Sequence, residues 1–269
     1  MDTIHLFVEN QEPFGAFPRI VPGSSVEGEL TISWTCGQTL GVRLVDKDVL
    51  LAAGADDWLA VDLPERLTVP AGACYQVRDG SWTIPVRVTA AADAPGLVVG
   101  RVTVSATDAE PGDGVAVEPF EVTFAVFSAY VGGFTASVDS TTVTMVGDRV
   151  TIPVHIVNLG NDITLFRVSV TTADASLRAI PPAEIILAAK GEEASATVDV
   201  TIDRVRGAAF SSADVVLTIH GESAKSREHV TGSQQATVTL ADGGRDHAIP
   251  GAGVVPVLAL AAALIKRRR

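Results

Sequence analysis

The chain predicts an all-β fold: two tandem antiparallel β-sandwiches followed by one C-terminal transmembrane helix. Three observations carry that expectation. Apolar and polar residues alternate in runs of six to ten, broken by Gly, Pro, Asp and Asn turns, the pattern of strands with one buried face. The runs fall into two sets of similar order, spaced by about 115 residues, the size of one sandwich. The last stretch, residues 248–265, carries no charge and is closed by Lys266, Arg267, Arg268 and Arg269. Hydrophobic residues make up 47% of the 269, yet aromatics only 5%, so the cores must be built from Val, Ile, Leu and Ala.

Residues 1–127 are assigned to the first sandwich. A strand over residues 4–8 opens it, and a segment rich in Pro, Gly and Phe follows. Residues 26–36 alternate cleanly, with Leu30, Ile32 and Trp34 on one face and Glu29, Thr31 and Ser33 on the other. Strands are expected at 40–45, 49–53, 58–63 and 66–69. Three more follow at 82–89, 98–107 and 120–127, with Ile84, Val86, Val88, Val102, Val104, Val122, Phe124 and Val126 facing inward.

Residues 128–241 form the second sandwich. Its expected strands are 134–138, 143–146, 150–158, 163–171, 177–180, 185–188, 194–202, 213–220 and 236–240. Over 194–202 the faces separate into Ala196, Val198, Val200 and Ile202 against Ser195, Thr197, Asp199 and Thr201. One buried and one wetted face is what a sandwich sheet shows. The two sets read as one template used twice. In each, proline precedes a short strand and a turn glycine (residues 64–72 and 181–191), and two longer alternating strands follow.

The run Val146-Gly147-Asp148-Arg149-Val150-Thr151-Ile152-Pro153-Val154, then Val157-Asn158-Leu159-Gly160-Asn161 and the strand at 194–202, resembles the immunoglobulin-like modules of archaeal and bacterial envelope proteins (the NEW3/CARDB type). The resemblance covers most of 130–240 and, more faintly, 26–127. It implies an immunoglobulin-like sandwich and brings no functional residue with it.

Residues 242–247 are a linker. A helix of eighteen residues, 248–265, would span roughly 27 Å at about 1.5 Å per residue, the short end of what crosses a hydrocarbon core. Cations gather on the cytoplasmic side of membrane segments. That places Lys266–Arg269 inside and residues 1–247 outside, with the lipid bilayer as one partner. The tail is similar to the tripartite C-terminal signals of archaeal surface proteins (the PGF-CTERM type), which combine a Pro-Gly-Phe motif, an apolar helix and terminal arginines. Here Pro250-Gly251 is followed by Ala252 where Phe stands in that pattern. Residues 1–10 have neither the basic nor the apolar region of a signal peptide. An exported body is expected to have a leader upstream; insertion by the tail alone would leave the acidic body in the cytosol.

The formal charge is −12, and without the four terminal cations the chain has 16 cations against 32 anions. Such a body is repelled by nucleic acid. Of the twenty cations only four are lysines: Lys47, Lys190, Lys225 and Lys266. Two cysteines, Cys36 and Cys74, could close a 38-residue loop outside the cytoplasm. The alternative is two buried thiols that never meet.

Catalytic chemistry finds no support. His5, His155, His220, His229 and His247 have no zinc spacing, although His220 and His229 flank the expected hairpin loop. Asp46/Asp48, Asp56/Asp57 and Glu110/Asp113 could offer oxygen to Ca²⁺ but follow no calcium-loop pattern, and read as solvated turn acids. No other cofactor is expected. Residues 221–225 break the G-x-S-x-G pattern at Lys225. Trp58, Tyr75 and Trp82 are the candidates for a small ligand face. The expectation is therefore a non-enzymatic, membrane-anchored surface protein of structural or adhesive type, an archaeal envelope component or stalk whose partners are other envelope proteins or glycans. The alternatives are a ligand-binding module for glycan or peptide using those three aromatics, and a subunit of a secretion or appendage complex that pairs through a sheet edge.

Overall fold

The computed structural model describes residues 2–10, 12–16, 18–37, 46–70, 79–189, 194–226 and 229–243. The expected strand at 40–45, the anchor at 248–265 and the basic tail Lys266–Arg269 lie outside the described residues. Among the described residues every regular element longer than a single turn is a strand, and no helix is long and apolar enough to cross a membrane.

The strands are β1 (Asp2–Val8), β2 (Arg19–Ile20), β3 (Ser25–Cys36), β4 (Lys47–Ala55), β5 (Leu59–Asp62), β6 (Arg66–Val69), β7 (Asp79–Ala90), β8 (Val99–Asp108), β9 (Val115–Glu118) and β10 (Phe120–Ser128). They continue with β11 (Phe134–Val138), β12 (Thr142–Met145), β13 (Arg149–Asn158), β14 (Thr164–Thr172), β15 (Leu177–Ile180), β16 (Ile185–Leu187), β17 (Ser195–Arg204), β18 (Ser212–Ser223) and β19 (Val230–Asp242).

Four sheets result. The first two have the orders β5-β7-β3-β1-β9 and β2-β10-β8-β4-β6, and the last two β11-β13-β17-β15 and β12-β19-β18-β14-β16. Aligned strand by strand, the halves repeat one another. β1, β3, β7 and β5 correspond to β11, β13, β17 and β15; β2, β10, β8, β4 and β6 correspond to β12, β19, β18, β14 and β16. In both halves the opening strand switches sheets, so that β2 and β12 each run parallel to the last strand of their half. The internal repeat read from the sequence is thus a repeat of topology. Its one departure is β9, which adds to β1 in parallel.

Alternation explains why each pair of sheets closes. Leu30, Ile32, Ile84, Val86 and Val88 of one sheet meet Val49, Val102, Val104, Phe124 and Val126 of the other in a single buried cluster. Ile152, Val154, Ile156, Val200 and Ile202 meet Phe166, Val215, Leu217, Ile219 and Val238 in a second. Each such side chain contributes about 1.5–3 kcal/mol when it leaves water. Gly28 in β3 shows how closely the flanking loop sits: a Cβ there would lie 2.2 Å from the Pro13 carbonyl oxygen, so the Pro13–Phe14 turn can cap the sheet only over a glycine.

Among the described residues several strands run two or three residues past their expected ends, β18 to Ser223 among them, and three depart further. β19 begins at Val230, six residues before the expected 236, because pairing with β18 extends a polar stretch that shows no alternation of its own. β2 and β9 were not anticipated. The first is two residues long and held by β10; the second alternates but sits in a Gly- and Asp-rich loop.

Truncating Ile156 to Ala, fully buried at the centre of the second core, is expected to cost about 2–5 kcal/mol. Equilibrium urea unfolding of the variant against the parent checks it.

Candidate functional site

Trp58 and Trp82 stand at opposite ends of the first sandwich. Leu59 pairs with Ala90 at the end of β7, whereas Trp82 lies eight residues earlier in that strand, about 26 Å away at roughly 3.3 Å per residue. Trp58 packs over Gly100, whose missing side chain makes the room for its indole. The Trp82 ring lies 6.1 Å from that of Trp34, and its N–H donates to the Thr68 carbonyl at 3.2 Å. Both indoles are half-buried against the core. The structure does not bring the two together. Tyr75, the third expected member, lies outside the described residues.

Cys36 ends β3 on the core side, and its sulfur is in a disulfide. The expected partner, Cys74, lies outside the described residues. The histidines disperse. His5 pairs with Glu118 across β1 and β9. His155 bridges Thr197 and Asp139 at 2.7 and 2.8 Å. His220 is within β18, opposite Ser233, and does not flank the turn as expected, because β18 runs on to Ser223. His229 lies in that turn with its ring 5.3 Å from Tyr130. His247 is outside the described residues.

The acidic pairs, expected as solvated turn acids, are partly engaged. Asp48 accepts from Arg66 and Thr68 on β6 at 2.8 and 2.7 Å. Asp56 receives the Arg101 amide, and Asp57 is exposed. Around Glu110 and Asp113 the space for a cation is filled by Lys47. Its ammonium lies 2.6 Å from Asp108, 3.1 Å from Asp113 and 3.0 Å from the Glu110 carbonyl, with only 7% of the side chain exposed. Burial pulls the Lys47 pKa down, but the hydrogen bonds and charges of Asp108 and Asp113 together outweigh it, and the net result is above the ordinary 10.5. Among the described residues no three His, Cys, Asp or Glu side chains converge as a metal would require.

The most elaborate polar arrangement joins the two sandwiches. Strand directions place it at one pole of each. β7 ends and β8 begins beside it in the first sandwich, while β13 ends and β14 begins there in the second. Asn161 receives the Gly96 amide on its carbonyl at 2.6 Å, and its side-chain amide donates to the Ala94 and Ala129 carbonyls at 3.2 and 3.0 Å. Its backbone N–H and side-chain oxygen hold Val131 in the connector, at 3.0 and 2.8 Å. Asp162, whose side chain is fully buried, receives the Ser223 hydroxyl at 2.6 Å on one oxygen. Its other oxygen faces the Lys225 ammonium at 2.7 Å, as a close ion pair rather than an aligned hydrogen bond. The same ammonium donates to the Gly96 carbonyl at 2.9 Å.

Asn158, also buried, secures the loop that carries these groups by donating to the Asp162 and Ala188 carbonyls at 2.9 and 2.8 Å. Tyr130 bonds Thr231 through its hydroxyl. Burial, and to a lesser degree the Asp162 charge, raises the Tyr130 pKa. Gly96 is obligatory here, since a Cβ would lie 2.6 Å from the Asn161 side-chain oxygen and 3.0 Å from the Asp162 Cβ. The next residue, Leu97, has φ +53°, a left-handed conformation that costs a branched side chain about 1–2 kcal/mol.

In the sequence Asn158 and Asn161 stand out only as part of the run that resembles an immunoglobulin-like module, and Lys225 as the residue that breaks a G-x-S-x-G pattern. Lysine scarcity was the usable signal. With four lysines in the chain, Lys47 and Lys225 each grip a carboxylate that is itself mostly or wholly buried.

No family model and no curated protein matches the chain. Solved structures similar to it include a protein of unknown function from Porphyromonas gingivalis W83, at 16% identity and TM-score 0.31, covering 88% of this chain and 99% of that one. CBD12 from CALX1.2 is similar at 12% identity and TM-score 0.28, covering 89% and 99%. The titin domains z1z2, solved in complex with telethonin, are similar at 11% identity and TM-score 0.30, covering 90% and 98%. Superposition this loose adds no argument, and the immunoglobulin-like sandwich stands on the strand pairing above.

Two outcomes follow for the first sandwich. A raised lysine pKa adds stability that is whole below the unfolded value and is lost as pH rises through the folded one. Lys47→Met is therefore expected to cost about 3–5 kcal/mol at pH 7, by stranding Asp108, and to flatten the loss of stability that the parent shows above pH 10.5. Denaturant titrations at pH 7 to 11 read both. Cys36→Ser is expected to cost roughly 3–4 kcal/mol if Cys74 is the partner, and peptide mapping without reductant identifies that partner directly.

Proposed function

We propose that the protein is a non-enzymatic surface stalk: two sandwiches held outside the cell membrane by the apolar segment 248–265, with Lys266–Arg269 on the cytoplasmic side. The supporting observation is where the described chain leaves the fold. β19 starts at the joint with Val230 and ends at Asp242 on the opposite pole, where the Gly243 amide bonds the Met145 carbonyl. The linker and anchor therefore continue from the end of the second sandwich that faces away from the first. The first sandwich becomes the outermost part, and its outer pole carries Cys36 and the Lys47 cluster.

An acidic, lysine-poor exterior suits such a position, where it meets cations rather than nucleic acid. Partners on this reading are other envelope proteins or glycans, as the resemblance to archaeal envelope modules implies.

Protease added to intact cells is expected to degrade the body and leave the tail with the membrane. Deleting residues 244–269 is expected to release an intact body from the membrane fraction. Recovery of the full-length body in the cytosol, shielded from external protease, overturns the reading.

A further inference from the structure

We propose that the two sandwiches are locked into one strut, with Lys225, Asn161 and Asp162 of the second gripping the β7–β8 turn of the first at a fixed angle. This does not rest on the anchored reading, since the lock would act on either side of a membrane.

Three observations carry it. The connector is short, and it is not left free: Ala129, at the end of the first sandwich, and Val131, before the second, are both bonded to Asn161. A flexible tether between independent modules would leave those groups to water. Both backbone groups of Gly96 are also taken by the second sandwich, its N–H by the Asn161 carbonyl and its carbonyl by Lys225. The turn that presents them holds Leu97 in the left-handed region, a strained conformation that the contacts to Gly96 hold in place. Finally, the bridging ammonium is anchored on a carboxylate with no exposure. If Lys225 swings away from both groups, the buried Asp162 charge is left with only the Ser223 hydroxyl. The charge pair inside the second sandwich thus sets the position of the group that holds the first.

Hydrogen exchange on the full chain, read by mass spectrometry, tests the lock. The Gly96 and Val131 amides are expected to be protected in the parent. Lys225→Met is expected to raise their exchange roughly tenfold or more, as loss of a hydrogen bond to a charged group implies, with the amides of β8 and β17 unchanged. Small-angle scattering should broaden in parallel as the angle between the sandwiches is freed. Gly96→Ala, which alters only the first sandwich's side of the joint, is expected to act alike on Val131 and on the scattering. If Lys225→Met also loosens β18, the double variant Asp162→Asn/Lys225→Met, which leaves no buried charge behind, gives the reading instead. Parent amides at Gly96 and Val131 that exchange at unprotected rates overturn the proposal. So do a Gly96→Ala variant and a Lys225 variant that both leave protection and scattering as in the parent.

Discussion

Everything in the molecule depends on burying one face of every sheet with small branched side chains. The inward positions of β3, β7, β8, β13, β17 and β18 are mostly Val, Ile, Leu and Ala, and most of these are buried. With so few aromatics, no single large side chain organises either core. Stability is spread over many contacts of about equal weight, each worth little by itself. The two halves can therefore keep the same strand order while sharing little recognisable sequence, because the template asks only for the alternation and the turns.

Polar chemistry is then concentrated where strands end. The outer pole of the first sandwich and the joint between the sandwiches each centre on a lysine paired with a shielded carboxylate. Such pairs contribute modestly to net stability, since desolvation opposes the attraction, but breaking one strands a buried charge. Their effect is geometric. Lys47 ties β4 to the loop after β8, and Lys225 ties the β18–β19 turn to the other sandwich. The surface pairs, such as Arg149 with Asp203, lie in water and carry far less weight.

The candidate ligand face is divided by the fold. Trp58 and Trp82 are both strand-end aromatics, and nothing in their spacing reveals that β7 separates them by its own length. Which end of a strand a residue occupies follows from which neighbour it pairs with. That pairing is non-local. The same holds for His220 and His229: both flank the expected hairpin loop, but β18 runs on to Ser223 and takes His220 into the strand. Asn161 and Lys225 are the reverse case: unremarkable in sequence, they converge on Gly96 because the β13–β14 and β18–β19 turns share one pole of the second sandwich.

The sequence alone determined the all-β class, the inward residues and the two-fold template, since period-two alternation is a local property and each run carries its own signal. It also determined the apolar, charge-terminated tail on which the anchored reading rests. Only the tertiary structure decided which strands are neighbours, that β9 joins β1, that Lys47 fills the space among the acidic loop residues, and that Gly96, Asn161, Asp162 and Lys225 form one joint. Those outcomes hinge on contacts between residues far apart in the chain, where register and loop closure, not local pattern, set who meets whom.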